Sequence, residues 1–286
     1  MITIFTPVFN RANIIYKLYE SIKRQTFRDF EWLVINDGSV DNIDDVMNAF
    51  INEGILNIRY YAQENGGKHR AINKGIELAK GELFFIVDSD DTITSDALYL
   101  LNKYYQQIKE DTRFAGVSGY RCLPNGCDLY SKPSNSVLDC SSLEFICKYN
   151  RRGGMAEAYK LSVLKQYPFP DIPGEKFCAE SLVWNRIAKE HILRYFNKQI
   201  YVWNYLPDGL TRNSIKNRRQ SSTYAMMNYS EALRMNMNMK WKVRNAINYW
   251  RFYFVNSRKL VPQMFFLWYL FAPIGYILCK KDEMLV

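Results

Sequence analysis

Leu83-Phe84-Phe85-Ile86-Val87-Asp88-Ser89-Asp90-Asp91 is the stretch on which the reading of this chain turns. An apolar run this short, with polar residues on both sides, has the pattern of a buried strand. Three carboxylates gathered within four positions repel one another, so a fold needs a reason to keep them together. A hard divalent cation such as Mg²⁺ or Mn²⁺ is one reason, since it takes oxygen ligands and commonly shares them with phosphate. An acidic lead into a helix starting near Ser95 is the plainer one. Asp-x-Asp alone says little; directly behind a buried strand it says more.

Outward from this stretch the chain alternates between two periods. Ile2 to Phe9, Glu31 to Asn36, Asn57 to Ala62 and Phe114 to Arg121 are strand-like. Between them, Asn13 to Gln25, Asp41 to Asn52, Arg70 to Lys80 and Ser95 to Lys109 carry apolar residues at helical spacing. Strand and helix alternating at this pitch predict βαβ units and a mainly parallel sheet. In such sheets ligands bind beyond the carboxyl ends of the strands. The positions there read Thr6-Pro7, Asn36-Asp37-Gly38-Ser39, Glu64-Asn65-Gly66-Gly67-Lys68 and Asp88-Ser89-Asp90-Asp91.

Each of these loops has a chemical reading beside a structural one. Asp37 suits the imide N–H of a uracil ring, though Asn-Asp-Gly-Ser is also an ordinary turn with a helix cap. Gly66-Gly67 lets backbone approach a ligand closely, and Lys68 and Arg70 suit a diphosphate or a sugar. The segment is not a Walker A loop, and no Gly-x-Gly-x-x-Gly follows the first strand. Two histidines and six cysteines with no Cys-x-x-Cys pair make a zinc site improbable.

Taken together, Thr6-Pro7-Val8-Phe9-Asn10-Arg11, Asn36-Asp37-Gly38-Ser39 with Asp41, Asn65-Gly66-Gly67 with Asn73-Lys74-Gly75, and Val87-Asp88-Ser89-Asp90-Asp91 resemble family-2 glycosyltransferases of the GT-A fold, over roughly residues 1–120. The resemblance implies an α/β, Rossmann-like mixed sheet and inverting transfer of a hexosyl or hexosaminyl group from a nucleotide-sugar, usually a UDP-sugar, with Mn²⁺ or Mg²⁺. Carried over by position, Thr6 and Asp37 hold the nucleoside, Asp88 lies near the ribose or a metal-bound water, and Asp90 binds the metal. Pro7, Asn10, Asn65, Gly67, Lys68 and Ser89 complete the nucleotide-sugar site. Inversion also needs a carboxylate to take the acceptor proton. The family carries it in a Glu-Asp pair opening a helix; here the matching segment reads Glu180-Ser181, which leaves Glu180, with Glu175 as the lesser candidate. Arg212, in Asp208-Gly209-Leu210-Thr211-Arg212, matches a segment that closes over the diphosphate. The Gln-x-x-Arg-Trp motif of processive members does not occur, which points to single additions.

Composition bounds the rest. Hydrophobic residues at 48% and charged residues at 23% describe a folded chain, and an aromatic content of 15% suits a core, sugar stacking or a membrane interface. Residues 211–286 hold thirteen Lys and Arg against three Asp and Glu, a net of +10 in a chain of net +9, so the preceding body is near neutral. Residues 1–215 are therefore expected to form the catalytic domain and 216–286 a basic aromatic helical tail. Met264 to Cys279 is apolar but too short to span a bilayer, with Pro273 and Gly275 interrupting it and Lys280-Lys281 following. Such a segment suits a monotopic seat in the headgroup region, or packing against the body or a second subunit. A membrane seat fits a polyprenyl-diphosphate-linked or glycan acceptor in cell-surface polysaccharide synthesis. The opening Met1-Ile2-Thr3-Ile4-Phe5 does not look like a signal peptide, so the expected location is cytoplasmic, on the inner face of the membrane. A homo-oligomer stays open. A sugar nucleotidyltransferase lacks its Gly-rich basic loop after the first strand. A non-catalytic membrane-bound scaffold with a decayed transferase fold is favoured only by the missing Asp. Nucleic-acid binding has no recognisable module.

Overall fold

The computed structural model describes residues 1–128, 136–149, 155–204, 212–256 and 262–284. The elements begin β1 (Ile2–Val8), α1 (Ile15–Lys23), β2 (Phe30–Asp37), α2 (Ile43–Asn52), β3 (Ile58–Gln63), α3 (Lys68–Leu78) and β4 (Leu83–Ile86). They continue with β5 (Thr92–Ile93), α4 (Ala97–Gln106), β6 (Phe114–Cys122), β7 (Val137–Cys140), α5 (Ser142–Cys147), β8 (Met155–Lys160) and α6 (Leu161–Leu164). Then come α7 (Ser181–Ile187), β9 (Ile192–Val202), α8 (Ser214–Gln220), α9 (Ser222–Leu233), α10 (Met239–Tyr253), a 3-10 helix (Phe266–Phe271) and α11 (Ala272–Glu283). Two compact units divide them: Met1–Gly66, Arg70–Pro168 and Glu190–Leu206 form the first, and Gly67–His69, Phe169–Lys189 and Pro207–Val286 the second.

The first unit is a mixed sheet. Its order is β3-β2-β1-β4-β8-β6-β9-β5, with β7 paired to β9. The strands β3, β2, β1 and β4 run parallel, as the βαβ pattern predicts. All eight residues of β2 are buried, which fits a strand covered on both faces. In α1 the residues Ile15, Leu18, Tyr19 and Ile22 face inward, and Tyr19 stacks on Phe50 of α2 with ring centroids 4.0 Å apart. One buried charge sits in this core. Glu31 accepts from Thr3 Oγ1 at 2.7 Å, the Lys80 amide at 2.7 Å and Arg59 Nη1 at 2.9 Å. Burial raises its pKa, and those three donors together pull it below its ordinary value.

The mainly parallel sheet expected from the sequence is corrected here. β8 runs antiparallel to both β4 and β6, and β5 and β7 run antiparallel to β9. β8 reads Met-Ala-Glu-Ala-Tyr-Lys, with few β-branched residues, so its strand character comes from the place it fills between β4 and β6. β9 is one continuous strand, with a bulge in its pairing to β6 between the Ser118–Tyr195 and Tyr120–Gln199 pairs.

The second unit is helical among its described residues. Ala225, Met226, Tyr249, Trp250 and Phe252 form one core cluster, and Leu233, Ala246 and Trp268 another. Trp250 Nε1 donates to the Trp268 carbonyl at 2.9 Å, tying α10 to the 3-10 turn. Arg251 grips Asp282 of α11 through both guanidinium nitrogens. The apolar segment is broken next to Pro273, as the sequence reading has it: the 3-10 helix ends at Phe271 and α11 starts at Ala272. Pro273 lies in the first turn of α11, where its missing N–H costs nothing. Among the described residues no helix is long and apolar enough to cross a membrane.

Candidate active site

In the first unit the loops behind β1, β2 and β3 are fastened to one another. Asp37, buried at the end of β2, accepts from Gln63 Nε2 at 2.8 Å and from the Gly66 amide at 2.9 Å through Oδ1. Asn65 Nδ2 donates to the Asp37 carbonyl at 2.8 Å. Gly38 is held at φ +72°, and a Cβ there would stand 2.6 Å from the Asn65 nitrogen, so only glycine fits. Asn10, at φ +53°, accepts from the Val40 amide through Oδ1 at 2.9 Å, while its own amide donates to Ser39 Oγ at 2.9 Å. Asp41 Oδ2 accepts from the Ala12 amide at 2.8 Å. Thr6 is fully buried, with Oγ1 accepting from Trp32 Nε1 at 3.0 Å, and Pro7 beside it is half-buried. Thr6 and Asp37 thus stand on the neighbouring parallel strands β1 and β2, and Asn10 and Asn65 in the loops just beyond β1 and β3, the arrangement that the carboxyl end of such a sheet produces.

The acidic turn behind β4 is held from the far side of the sheet. The Tyr201 hydroxyl donates to Asp91 Oδ2 at 2.6 Å and accepts from the Asp88 amide at 3.1 Å. The Asn204 amide donates to Asp91 Oδ1 at 2.7 Å, and its side chain donates to the Asp90 carbonyl at 3.1 Å. Asp91 is therefore a buried fold carboxylate, pushed up to about 7 by burial first and then by the charge of Asp88. Asp88 and Asp90 stay half-exposed, with Ser89 buried between them. The Arg121 guanidinium lies 4.6 Å from the Tyr201 ring centroid and donates to the Met155 carbonyl at 2.7 Å. Sequence reasoning missed Gln63, Arg121, Tyr201 and Asn204. Asn204 had a readable signal, because it stands just past the carboxyl end of β9, as Asp37 and Asp88 stand at theirs.

In the second unit Lys68, the first residue of α3, places Nζ 2.7 Å from Glu180 Oε1, and both side chains are partly exposed. Glu180 immediately precedes α7. Ser181, in the position where the family carries Asp, donates through Oγ to Asn228 Oδ1 at 3.2 Å. Gly67 is at φ +95°, and a Cβ there would meet the Lys176 carbonyl oxygen at 1.9 Å. Glu175 is buried and spends both oxygens on the start of α9, accepting from the Thr223 and Tyr224 amides at 3.0 Å each. Tyr224 OH lies 3.0 Å from His69 Nε2 and donates to the Pro170 carbonyl at 2.8 Å. Arg212 is exposed ahead of α8, and the preceding Asp208 to Thr211 lie outside the described residues.

Half-exposed Asp88 and Asp90 offer the hard oxygen donors that Mg²⁺ or Mn²⁺ takes. Among the described residues no cluster of three or more His, Cys, Asp or Glu side chains is disposed to hold a metal alone.

A parallel half-sheet joined to antiparallel strands, with an acidic turn behind the strand beside β1, defines a GT-A-like domain. The glycosyl transferase family 2 model matches residues 3–155, and the chain belongs to that family. Glycosyltransferase GlyG of Streptococcus pneumoniae is 34% identical over 121 residues, 42% of this chain and 39% of that protein. The chondroitin synthase of Pasteurella multocida is 34% identical over 109 residues, 38% of this chain and 11% of the synthase. The chain thus spans well under half the length of these relatives. Staphylococcus aureus TarS 1–349 in complex with UDP-GlcNAc superposes with a TM-score of 0.64 at 19% identity, covering 90% of this chain and 73% of that one. The mannosyltransferase PcManGT of Pyrobaculum calidifontis, in complex with GDP-Man and Mn²⁺, gives 0.59 at 15% identity, covering 99% and 86%. At these identities the likeness is one of fold.

Proposed function

We propose that this chain is an inverting glycosyltransferase that moves a sugar from a nucleotide-sugar, a UDP-sugar in the first instance, to a hydroxyl of a glycan or a polyprenyl-diphosphate-linked acceptor. The observation that carries the proposal is the division of labour in the acidic turn. Asp91 is spent on Tyr201 and Asn204, while Asp88 and Asp90 remain half-exposed. Asp37 and Asn65 with Thr6, Pro7 and Asn10 are assigned to the nucleoside, Asp88 and Ser89 to the ribose side, and Gly67, Lys68 and Arg212 to the diphosphate. Asp90 holds Mn²⁺ or Mg²⁺, which when bound neutralises charge on the leaving diphosphate. Glu180 takes the proton from the acceptor hydroxyl as that oxygen attacks the anomeric carbon opposite the leaving group. Glu175 is assigned no chemistry, because its carboxylate caps α9.

The reading extends to the membrane. Phe266, Leu270, Ile274 and Ile277 fall at helical spacing along the 3-10 turn and α11, with exposures of 85%, 75%, 46% and 66%. An apolar stripe of this kind in a basic segment suits seating on the cytoplasmic face of a bilayer carrying the acceptor.

A donor panel tests the core of the proposal. The full chain is incubated with Mn²⁺ and UDP-, GDP- or dTDP-sugars, and nucleotide release is followed with and without EDTA. Release from one donor, lost with EDTA, is the expected result. No release together with no donor binding by calorimetry overturns the proposal and leaves a non-catalytic scaffold.

A further inference from the structure

α10 and α11 form an open surface groove of about 370 Å³, lined by Lys240, Val243, Arg244, Ile247, Asn248 and Arg251 of α10 and by Leu278 of α11. Its chemistry is split. Lys240, Arg244 and Arg251 recur at helical spacing along one face of α10, while Val243, Ile247 and Leu278 supply an apolar wall. The charge left over on this face is positive. Arg251 is already neutralised by Asp282, whose oxygens it holds through two hydrogen bonds. Lys240 and Arg244 are exposed, and among the described residues neither has a carboxylate partner. Only three acids lie beyond residue 211, and each is engaged: Glu231 by Arg186, Asp282 by Arg251 and Glu283 by Lys280. Among the described residues none of these three is paired with Lys240 or Arg244. The apolar wall continues into exposed surface, since Ile274, one helical turn before Leu278 in α11, is 46% exposed.

We infer that this groove binds the headgroup of an anionic phospholipid, with Lys240 and Arg244 on the phosphate and Val243, Ile247 and Leu278 against the first methylenes. Two cations with an adjoining apolar wall match a phosphate carried on a hydrocarbon chain, and they match neither a free anion nor a neutral lipid. The inference rests on the membrane reading given above and adds a defined site to it. Without such a site, attraction to a bilayer is spread over all the basic residues. With it, two particular charges outweigh any other two.

The full chain is sedimented with vesicles of phosphatidylcholine alone or mixed with phosphatidylglycerol. Lys240→Gln/Arg244→Gln is compared with Lys280→Gln/Lys281→Gln, which removes the same charge outside the groove. All four positions are exposed, and a thermal melt checks that both variants fold. The groove variant is expected to lose about tenfold or more in binding to the anionic vesicles, at roughly 1 kcal/mol per cation near the surface. The control is expected to lose clearly less, and neither should change on phosphatidylcholine. Equal losses in the two variants overturn the inference in favour of diffuse attraction. Calorimetry with monomeric dihexanoyl phosphatidylglycerol and with inorganic phosphate forms the second arm. Binding of the lipid but not of phosphate supports the groove, even if the wild type ignores every vesicle and the membrane reading fails. Equal binding of inorganic phosphate overturns the apolar half, and binding of neither probe overturns the site.

Discussion

Lys68 Nζ and Glu180 Oε1 stand 2.7 Å apart, joining the first residue of α3 to the residue that opens α7. A lone carboxylate at a helix start has several rotamers; a lysine at this distance restricts it to one direction. If Glu180 is the base, Glu180→Gln keeps the size and polar contacts of the side chain and removes its capacity to take a proton. Transfer is expected to fall about a thousandfold with donor affinity nearly unchanged. Single-turnover rates beside calorimetric donor binding check this. Transfer within a few-fold of wild type would remove Glu180 from the chemistry.

Lys68 itself separates two roles. Under the proposed mechanism it orients the base as the partner of Glu180 and meets the donor diphosphate as a cation. Lys68→Met is expected to weaken both, lowering kcat and raising the KM for donor. A change in kcat alone would leave Lys68 with orientation only.

Asp90 and Asp91 are neighbours with different duties. Asp90→Ala is expected to abolish the Mn²⁺ dependence of turnover and lower the rate by about a hundredfold or more, with little change in thermal stability. Asp91→Asn instead disturbs the bonds from Tyr201 and Asn204 and lowers stability, since a buried group left short of a partner costs about 1–3 kcal/mol. Melting curves beside metal titrations distinguish the two. Full EDTA-sensitive activity in Asp90→Ala would sink the metal assignment.

Much of this was legible in the sequence, and the gaps have physical causes. The parallel half could be read because β1, β2 and β4 are mostly apolar, β-rich runs alternating with helical periods. The loop residues followed from their positions past those runs. β8 was not legible, because Glu157 and the alanines beside it carry no strand signal and only the neighbouring strands make it one. Tyr201 and Arg121 escaped notice for a similar reason: their relation to Asp91 and Asp88 spans more than thirty residues in each case and exists only once β9 pairs with β6. The tail hid its hydrogen-bonded core, because aromatic residues at helical spacing look alike whether they face protein or lipid.

The buried Glu31 predicts an acid-sensitive stability term. Its pKa is lowered in the folded chain, so its stabilisation is fully present above the ordinary value of 4.5 and is lost as the pH falls through the depressed folded value. Arg59→Met removes the guanidinium 2.9 Å from Glu31 and is expected to cost about 3 kcal/mol at neutral pH, because it leaves a buried carboxylate short of its counter-charge. The gap between wild type and variant should narrow below pH 4.5 in urea unfolding. A gap independent of pH would mean that Arg59 acts through packing and its bonds to Leu78 and Tyr61.

Glu175 is the second carboxylate to be tested as the base. Its two oxygens accept from the Thr223 and Tyr224 amides at the start of α9, where the helix dipole favours a negative charge. In Glu175→Gln one amide keeps an acceptor and the other faces an NH₂ group, so stability should fall by about 1–3 kcal/mol. Turnover per folded molecule should stay near that of wild type, because the carboxylate is buried with both oxygens accepting from helix amides. Activity normalised to the folded fraction, read beside the melting temperature, tests this. A collapse in turnover with an unmoved melting temperature would make Glu175 the base and return Glu180 to a partner of Lys68.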